Sequence, residues 1–369
     1  MLLVMANGDN PPGLHPTPQP HPFDNWSEWQ PLNLNVSYFN LTRSPDEPTL
    51  QLWFTANFQG VDSLIRLEGP DPLRLNRVPP QFDTRLVEHY PRDLDGIPHP
   101  ILSRTSTTRL QDGTLLVLGS IGPRYSGGHS ELFPVLFLKK PNQNWEYLGP
   151  PSGEPKQFLD AAAARGATVR CEGAGIVQLP DGTLRFYAHG MLDPEAVPDH
   201  LRQGRIAPNT LLVAEAERPE GPWTFLRDET GAVLNLFANT PIPWVFPHVQ
   251  TLDDQTIMLT GADAWPPQAV YAAYSRDGLH FRFPADATEN DDGTVNLDAA
   301  TTPRPLRNAT DISPDARFCK GLRGIWMPES QTFHAVMNIS RPQHRGHSFL
   351  YAGTATLSAE NLEKLFQAP

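Results

Sequence analysis

Glu172 is the acidic residue whose neighbours most suggest chemistry. It stands in the run Arg170-Cys171-Glu172-Gly173-Ala174-Gly175, just ahead of a β-rich segment, and the glycines after it leave room for a ligand. A carboxylate held in a narrow site must be paired or put to use, because burying it alone is costly. Kept protonated by its surroundings, it could serve as a general acid; the structural alternative is an ion pair with Arg170 or Arg104. Basic residues open the other β-rich segments: Arg104, Arg170, Lys320 and Arg323, with His248 in a similar place. If those segment starts converge, the set would hold an anion such as a uronate, another sugar carboxylate or a phosphate, since Arg grips such groups through two hydrogen bonds. Pairing with loop carboxylates is the competing explanation.

A second carboxylate would have to come from a loop. Asp263 in Gly-Ala-Asp-Ala-Trp is one candidate, and Asp24, with Glu28 close behind it, is another; Asp93 and Asp95 lie in a third loop. Trp265 and Tyr125 suit the apolar face of a sugar, as do Trp26, Trp29 and Trp244, although core packing accounts for any one of them equally well. The histidines show no metal-ligand spacing, and no glycine-rich nucleotide loop is present, so no cofactor is expected. A central cation beside His248 stays open.

These residues need elements to hold them, and the chain supplies a repeat. A β-rich run, a tight turn, a Thr and a second β-rich run recur, most clearly as Thr107–Ser120 (TTRLQDGTLLVLGS) and Ile176–Gly190 (IVQLPDGTLRFYAHG). Asp-Gly between alternating apolar runs is a strong hairpin signal. The aligned threonines are Thr49, Thr114, Thr183, Thr256 and Thr332, separated by 65, 69, 73 and 76 residues. Most copies are followed by two further strand-like runs. Four antiparallel strands per repeat make one propeller blade, so the expected fold is all-β, a five-bladed β-propeller, with a β-sandwich as the alternative. First strands are expected near 33–42, 104–110, 172–179, 246–252 and 320–327, and helix only at 157–164 and 358–367. Residue starts of the first strands would then ring a central top pocket, together with the long Pro-rich loops.

Composition bounds the partners. The 369 residues carry a net charge of −12, which disfavours nucleic acid. No stretch approaches the ~18 apolar residues of a membrane span, and Met1–Met5 is too short for a signal core. A cytoplasmic protein with no membrane partner is expected. Forty prolines are roughly twice the usual share and mark the loops. Residues 1–22 read as a flexible or wrapping arm, and 23–369 as a single propeller domain. The two cysteines, Cys171 and Cys319, fall in different repeats, so no disulfide is expected.

The pattern resembles the five-bladed glycoside hydrolases of families 43, 32 and 68 and the family 130 phosphorylases. Cys171–Gly175 looks like the strand that delivers their general-acid Glu. Glu217–Trp223 (ERPEGPW) and Ser275–Phe281 (SRDGLHF) look like two of their turns. The resemblance implies a carbohydrate-active enzyme, a glycoside hydrolase with Glu172 as the acid and a small, possibly charged, glycoside or oligosaccharide as ligand. It departs from those families where they place catalytic aspartates in the first two blades: Leu32–Val36 and Ser103–Ser106 contain no carboxylate. Hydrolysis normally takes two carboxylates. A non-hydrolytic propeller, whether a binding protein or a repurposed lyase, isomerase or cyclase, is therefore the alternative, and a sialidase-like hydrolase is another.

Overall fold

Alternation along the strands decides where the core lies. The computed structural model describes residues 11–36, 38–43, 49–58, 61–79, 82–83, 93–94, 97–98, 101–122, 133–151, 167–192, 209–238, 244–253, 255–263, 267–286, 288–289, 295–296, 303–344 and 348–367. The chain forms an all-β, five-bladed β-propeller with four antiparallel strands as the unit of each blade. It divides into two compact units, Tyr38–Asn235 and Ala6–Ser37 with Leu236–Pro369.

The first unit holds three blades. Blade 1 runs Phe39–Arg43, Leu50–Phe58, Val61–Gly69 and Asn76–Arg77; blade 2 runs Ile101–Arg109, Leu115–Gly122, Phe133–Lys139 and Glu146–Gly149; blade 3 runs Ala167–Gln178, Leu184–Leu192, Asn209–Ala216 and Thr224–Phe225. Successive side chains of a strand point to opposite faces. In blade 2 this sends Leu116, Leu118, Leu136 and Leu138 into a cluster with Ile176, Phe186 and Leu212 of blade 3. The residues between them, Val117, Val135 and Phe137, join Trp53 and Leu64 of blade 1. Both faces of a middle blade are thus apolar, which is why its strands read as continuous runs such as Leu115–Leu118.

The second unit holds two blades. Blade 4 runs Val245–Thr251, Ile257–Ala262, Ala269–Ser275 and His280–Pro284. Gly13–Thr17 adds a parallel strand along its outer edge, in register from Gly13 opposite His280 to Thr17 opposite Pro284. Blade 5 runs Phe318–Met327, Thr332–Ser340 and Phe349–Leu357, and its outer strand comes from the N-terminal segment: Phe23–Asp24 and Gln30–Asn35 both pair with Phe349–Leu357. The reading of 33–42 as one first strand is corrected here, because 33–35 belong to the outer edge of blade 5 and only Phe39–Arg43 opens blade 1. Alternation identifies a strand but not the sheet it joins. A C-terminal helix, Ala359–Gln367, buries Leu362 and Leu365 in the cluster shared by blades 4 and 5. The expected helix at 157–164 lies outside the described residues.

The repeated turns are built alike. The Asp side chain accepts the Thr backbone N–H two or three residues on, at 2.9 Å from Asp112 to Thr114, 2.9 Å from Asp181 to Thr183 and 2.7 Å from Asp253 to Thr256. The Thr carbonyl then accepts from Leu110, Leu179 and Leu252, each at 2.8 Å. An Asp that hydrogen-bonds its own turn explains the sequence signal. Cys319 is a buried free thiol, and no described helix is long and apolar enough to cross a membrane.

Candidate functional site

The hairpin register sets equivalent positions across the blades. The residue after each aligned Thr pairs with the first strand of its hairpin: Leu50 with Arg43, Leu115 with Arg109, Leu184 with Gln178, Ile257 with Thr251 and Phe333 with Trp326. Three residues earlier on the first strands stand Asn40, Ser106, Gly175, His248 and Arg323. Four of these are polar and all of those four are buried. One residue further on, the backbone links neighbouring blades. The carbonyl of Thr107 accepts from Asn40 Nδ2 at 2.6 Å, that of Ile176 from Thr108 Oγ1 at 2.7 Å, and that of Gly324 from Gln250 Nε2.

Just before this level the first strands of blades 2 to 5 are irregular, with breaks in register between Ser103 and Ser106, Gly173 and Gly175, Val245 and His248, and Cys319 and Gly321. Bulges re-aim side chains and recur beside functional sites. Arg104 lies within the break of blade 2 and Lys320 within that of blade 5. Glu172 directly precedes the break of blade 3, in register opposite His189, and Arg170 lies two residues before it. The backbone of Arg104, Arg170 and Glu172 is therefore placed on first strands, while their side chains, and all of Trp265 and Tyr125, lie outside the described residues. Glu172 is the one acidic residue on the five first strands.

In the second unit the side chains are described. Arg323 is buried; its Nη1 donates to the Leu322 carbonyl at 2.9 Å and approaches Thr260 Oγ1 at 3.4 Å. Thr260 in turn donates to the Leu322 carbonyl at 2.9 Å. Gly321 (φ +156°) makes the fold-back of this guanidinium feasible, since a Cβ there would sit 3.0 Å from Nη1. His248 is buried, and burial above all, then the charge of Arg323, hold its pKa well below the usual histidine value. It is a neutral imidazole at ordinary pH. Lys320 is half-buried, and its backbone N–H donates to Asn338 Oδ1 at 3.0 Å.

Asp263 follows the second strand of blade 4. Its Oδ1 accepts from the backbone N–H of Gln268 at 2.7 Å and Ala269 at 3.1 Å. Burial nonetheless raises its pKa, and its charge also helps raise those of Tyr271 and Cys319. A half-buried carboxylate that favours its proton is chemically the more useful kind. Asp24 has a different setting: it is exposed, on the outer strand of blade 5 opposite Thr356. Trp26 is stacked on Trp29 at 5.5 Å and covered by the Arg307 guanidinium at 4.1 Å, so its faces are occupied.

Within the second unit the structure thus brings His248 and Arg323 together and leaves Asp24 on an outer strand. Reasoning from sequence overlooked Asn40, Ser106 and Thr260. The first two could have been found by counting back from the turn, as they share the level of His248 and Arg323. Among the described residues no group of three or more His, Cys, Asp or Glu side chains could hold a metal ion.

No protein-family model matches the chain, and no curated protein matches its sequence. Among solved structures it is similar to a GH43_1 enzyme from Xanthomonas citri, with 10% identity and a TM-score of 0.51 over 90% of this chain and 92% of that one. It is also similar to a xylan β-1,4-xylosidase from Bacillus halodurans C-125, with 11% identity and a TM-score of 0.50 over 88% of this chain. The match spans 54% of that xylosidase, about half its length. At such identities the likeness is one of fold: the chain has the five-bladed architecture of these glycosidases.

Proposed function

We propose that this protein is a carbohydrate-active enzyme, a glycoside hydrolase acting on a small glycoside that bears an anionic group. The observation that carries this reading is the distribution of charge on the first strands. Glu172 is their one acidic residue, whereas Arg104, Arg170, Lys320 and Arg323 all lie on them. An excess of cationic residues on these strands suits a carboxylate-bearing or phosphorylated sugar. Glu172 is the general acid in this reading. Arg323 and the neutral His248 bind the ligand, with Arg104, Arg170 and Lys320 adding positive charge and Trp265 and Tyr125 offering sugar-stacking faces. Asp263, whose pKa is raised, is a better second carboxylate than Asp24. The fold shared with known glycosidases supports the substrate class.

The lone first-strand carboxylate also favours a second reading, a propeller that binds an anionic sugar without hydrolysing it, because hydrolysis normally takes two. Turnover of 4-nitrophenyl glycosides separates the two, run on uronides beside the matching neutral sugars. The first reading expects release of nitrophenol from a uronide and a lower kcat/KM in Arg323→Met. Saturable binding of a uronide with no release supports the second, and neither binding nor release overturns both.

A further inference from the structure

The N-terminal segment holds the outer edges of both blades in its unit, and histidines sit where it is fastened. Gly13–Thr17 pairs along His280–Pro284, with Gly13 N–H donating to the Leu279 carbonyl at 2.9 Å and Ala285 N–H to the Thr17 carbonyl at 2.9 Å. Its Leu14 and Thr17 are buried. Beyond the strand, His21 Nε2 is 2.9 Å from the Arg304 carbonyl, and its Nδ1 is enclosed by protein. The segment then continues into Phe23–Asp24 on blade 5.

We propose that Gly13–Asp24 is a proton-releasable strap: uptake of protons by His21 and His15 detaches it from the outer strand of blade 4 and from the segment carrying Arg304. In the neutral ring, one nitrogen of His21 donates to the Arg304 carbonyl and the other carries no proton. Protonation puts an N–H at the enclosed Nδ1 and a positive charge beside two arginines, Arg304 and Arg307. The carboxylates facing those arginines are already engaged, Asp286 with Arg304 at 2.7 Å and Asp311 with the Asn308 backbone at 3.0 Å as well as acting on Arg307. His15 stacks on His280 at 6.5 Å between ring centroids and also feels the charge of Arg282; its Nε2 is 2.8 Å from the Pro11 carbonyl. Asp277 is hydrogen-bonded to His280 at 2.6 Å and so serves that ring rather than His15.

The direction of the pH effect follows from the shifts. Burial above all, with the charges of Arg304 and Arg307, outweighs the hydrogen bonding to the Arg304 and Pro305 backbone and lowers the pKa of His21 from 6.5 to about 4. A released strap returns it toward 6.5, so the strap is fully held above that value and is lost as pH falls toward 4. Linkage for this one group makes opening about tenfold more frequent at pH 5.5 than at pH 7.5, a range in which ordinary carboxylates stay ionised.

Amide exchange read by mass spectrometry tests this on the full chain, with rates corrected for intrinsic pH dependence. Peptides covering 11–24 are compared with a control in Ile257–Ala262 of blade 4. The expected result is strap exchange about tenfold faster at pH 5.5 than at pH 7.5, with the control unchanged, and a flat strap profile in the His15→Gln/His21→Gln variant. Equal pH dependence of strap and control in the wild-type protein overturns the proposal. So does a strap-selective increase that survives in the variant. The wild-type comparison decides the matter by itself where the double variant fails to fold.

Discussion

His248 and Arg323 stand at the same position of consecutive first strands, three residues before the partner of the residue that follows the aligned Thr (Thr251 opposite Ile257, Trp326 opposite Phe333), and both are buried. Burial and then the guanidinium charge keep the imidazole neutral. One residue carries the fixed charge and the other is held free of charge at the same level. Such a pair can meet an anion at one end and a hydroxyl at the other.

The first prediction concerns His248 itself. Because the neutral form is favoured in the folded state, its stabilising contribution is complete above the unfolded histidine pKa and declines as pH drops below it. Imidazole NMR signals of His248 should therefore show no titration between pH 6 and 8. A midpoint near 6.5 contradicts the burial described.

Gly321 should matter for Arg323 as well as for the backbone. Gly321→Ala combines a positive φ with a Cβ against the guanidinium, whereas Gly182→Ala has a positive φ and nothing within 4 Å. Each should cost about 1–3 kcal/mol in strain, read from chemical denaturation. Only the first should also lower ligand affinity. Equal effects on affinity would remove Gly321 from any role in positioning.

Asp263→Asn keeps the acceptor for the Gln268 and Ala269 N–H groups and deletes a charge that burial disfavours. A raised carboxylate pKa means stability that is lost as pH rises through it. The variant should thus melt no lower than wild type at pH 7, with the gap in its favour growing from pH 4 to pH 7. A lower melting temperature would show that the negative charge is needed by the fold.

Much of the architecture was legible in the residues. Asp112, Asp181 and Asp253 bond their own turns, so the hairpins announced themselves, and the first strands fall within a few residues of where the turns put them. Asn33–Asn35 was harder: it alternates like a first strand, yet pairing with Phe349–Leu357 is a contact between the two ends of the chain that local pattern cannot encode. Pro16 sits in the outermost strand of blade 4, where a missing N–H costs little, so proline richness did not exclude a strand. For the site, residue type pointed to His248 and Arg323. The shared level of Asn40 and Ser106 emerged only from register, because the bulges shift the count from strand start to strand level by a residue or more.

Inter-blade bonds should be visible in stability. Asn40 is buried and donates to the Thr107 carbonyl. Removing the donor should cost about 1–3 kcal/mol in Asn40→Ala, measured by urea denaturation. Asn40→Asp should cost more, since it turns an acceptor toward a carbonyl. A neutral Asn40→Ala would mean that this bond adds nothing to the hold between blades 1 and 2.

The central claim is that Glu172 supplies the proton for glycoside cleavage. Gln keeps the shape and one acceptor but cannot donate that proton, and a general acid contributes about 10²–10⁴-fold. The direct measurement is kcat of wild type and Glu172→Gln on whichever 4-nitrophenyl glycoside the wild type turns over, together with the melting temperature of both. The account predicts a fall in kcat of about 10²–10⁴-fold with melting unchanged. A folded Glu172→Gln that retains full activity contradicts it.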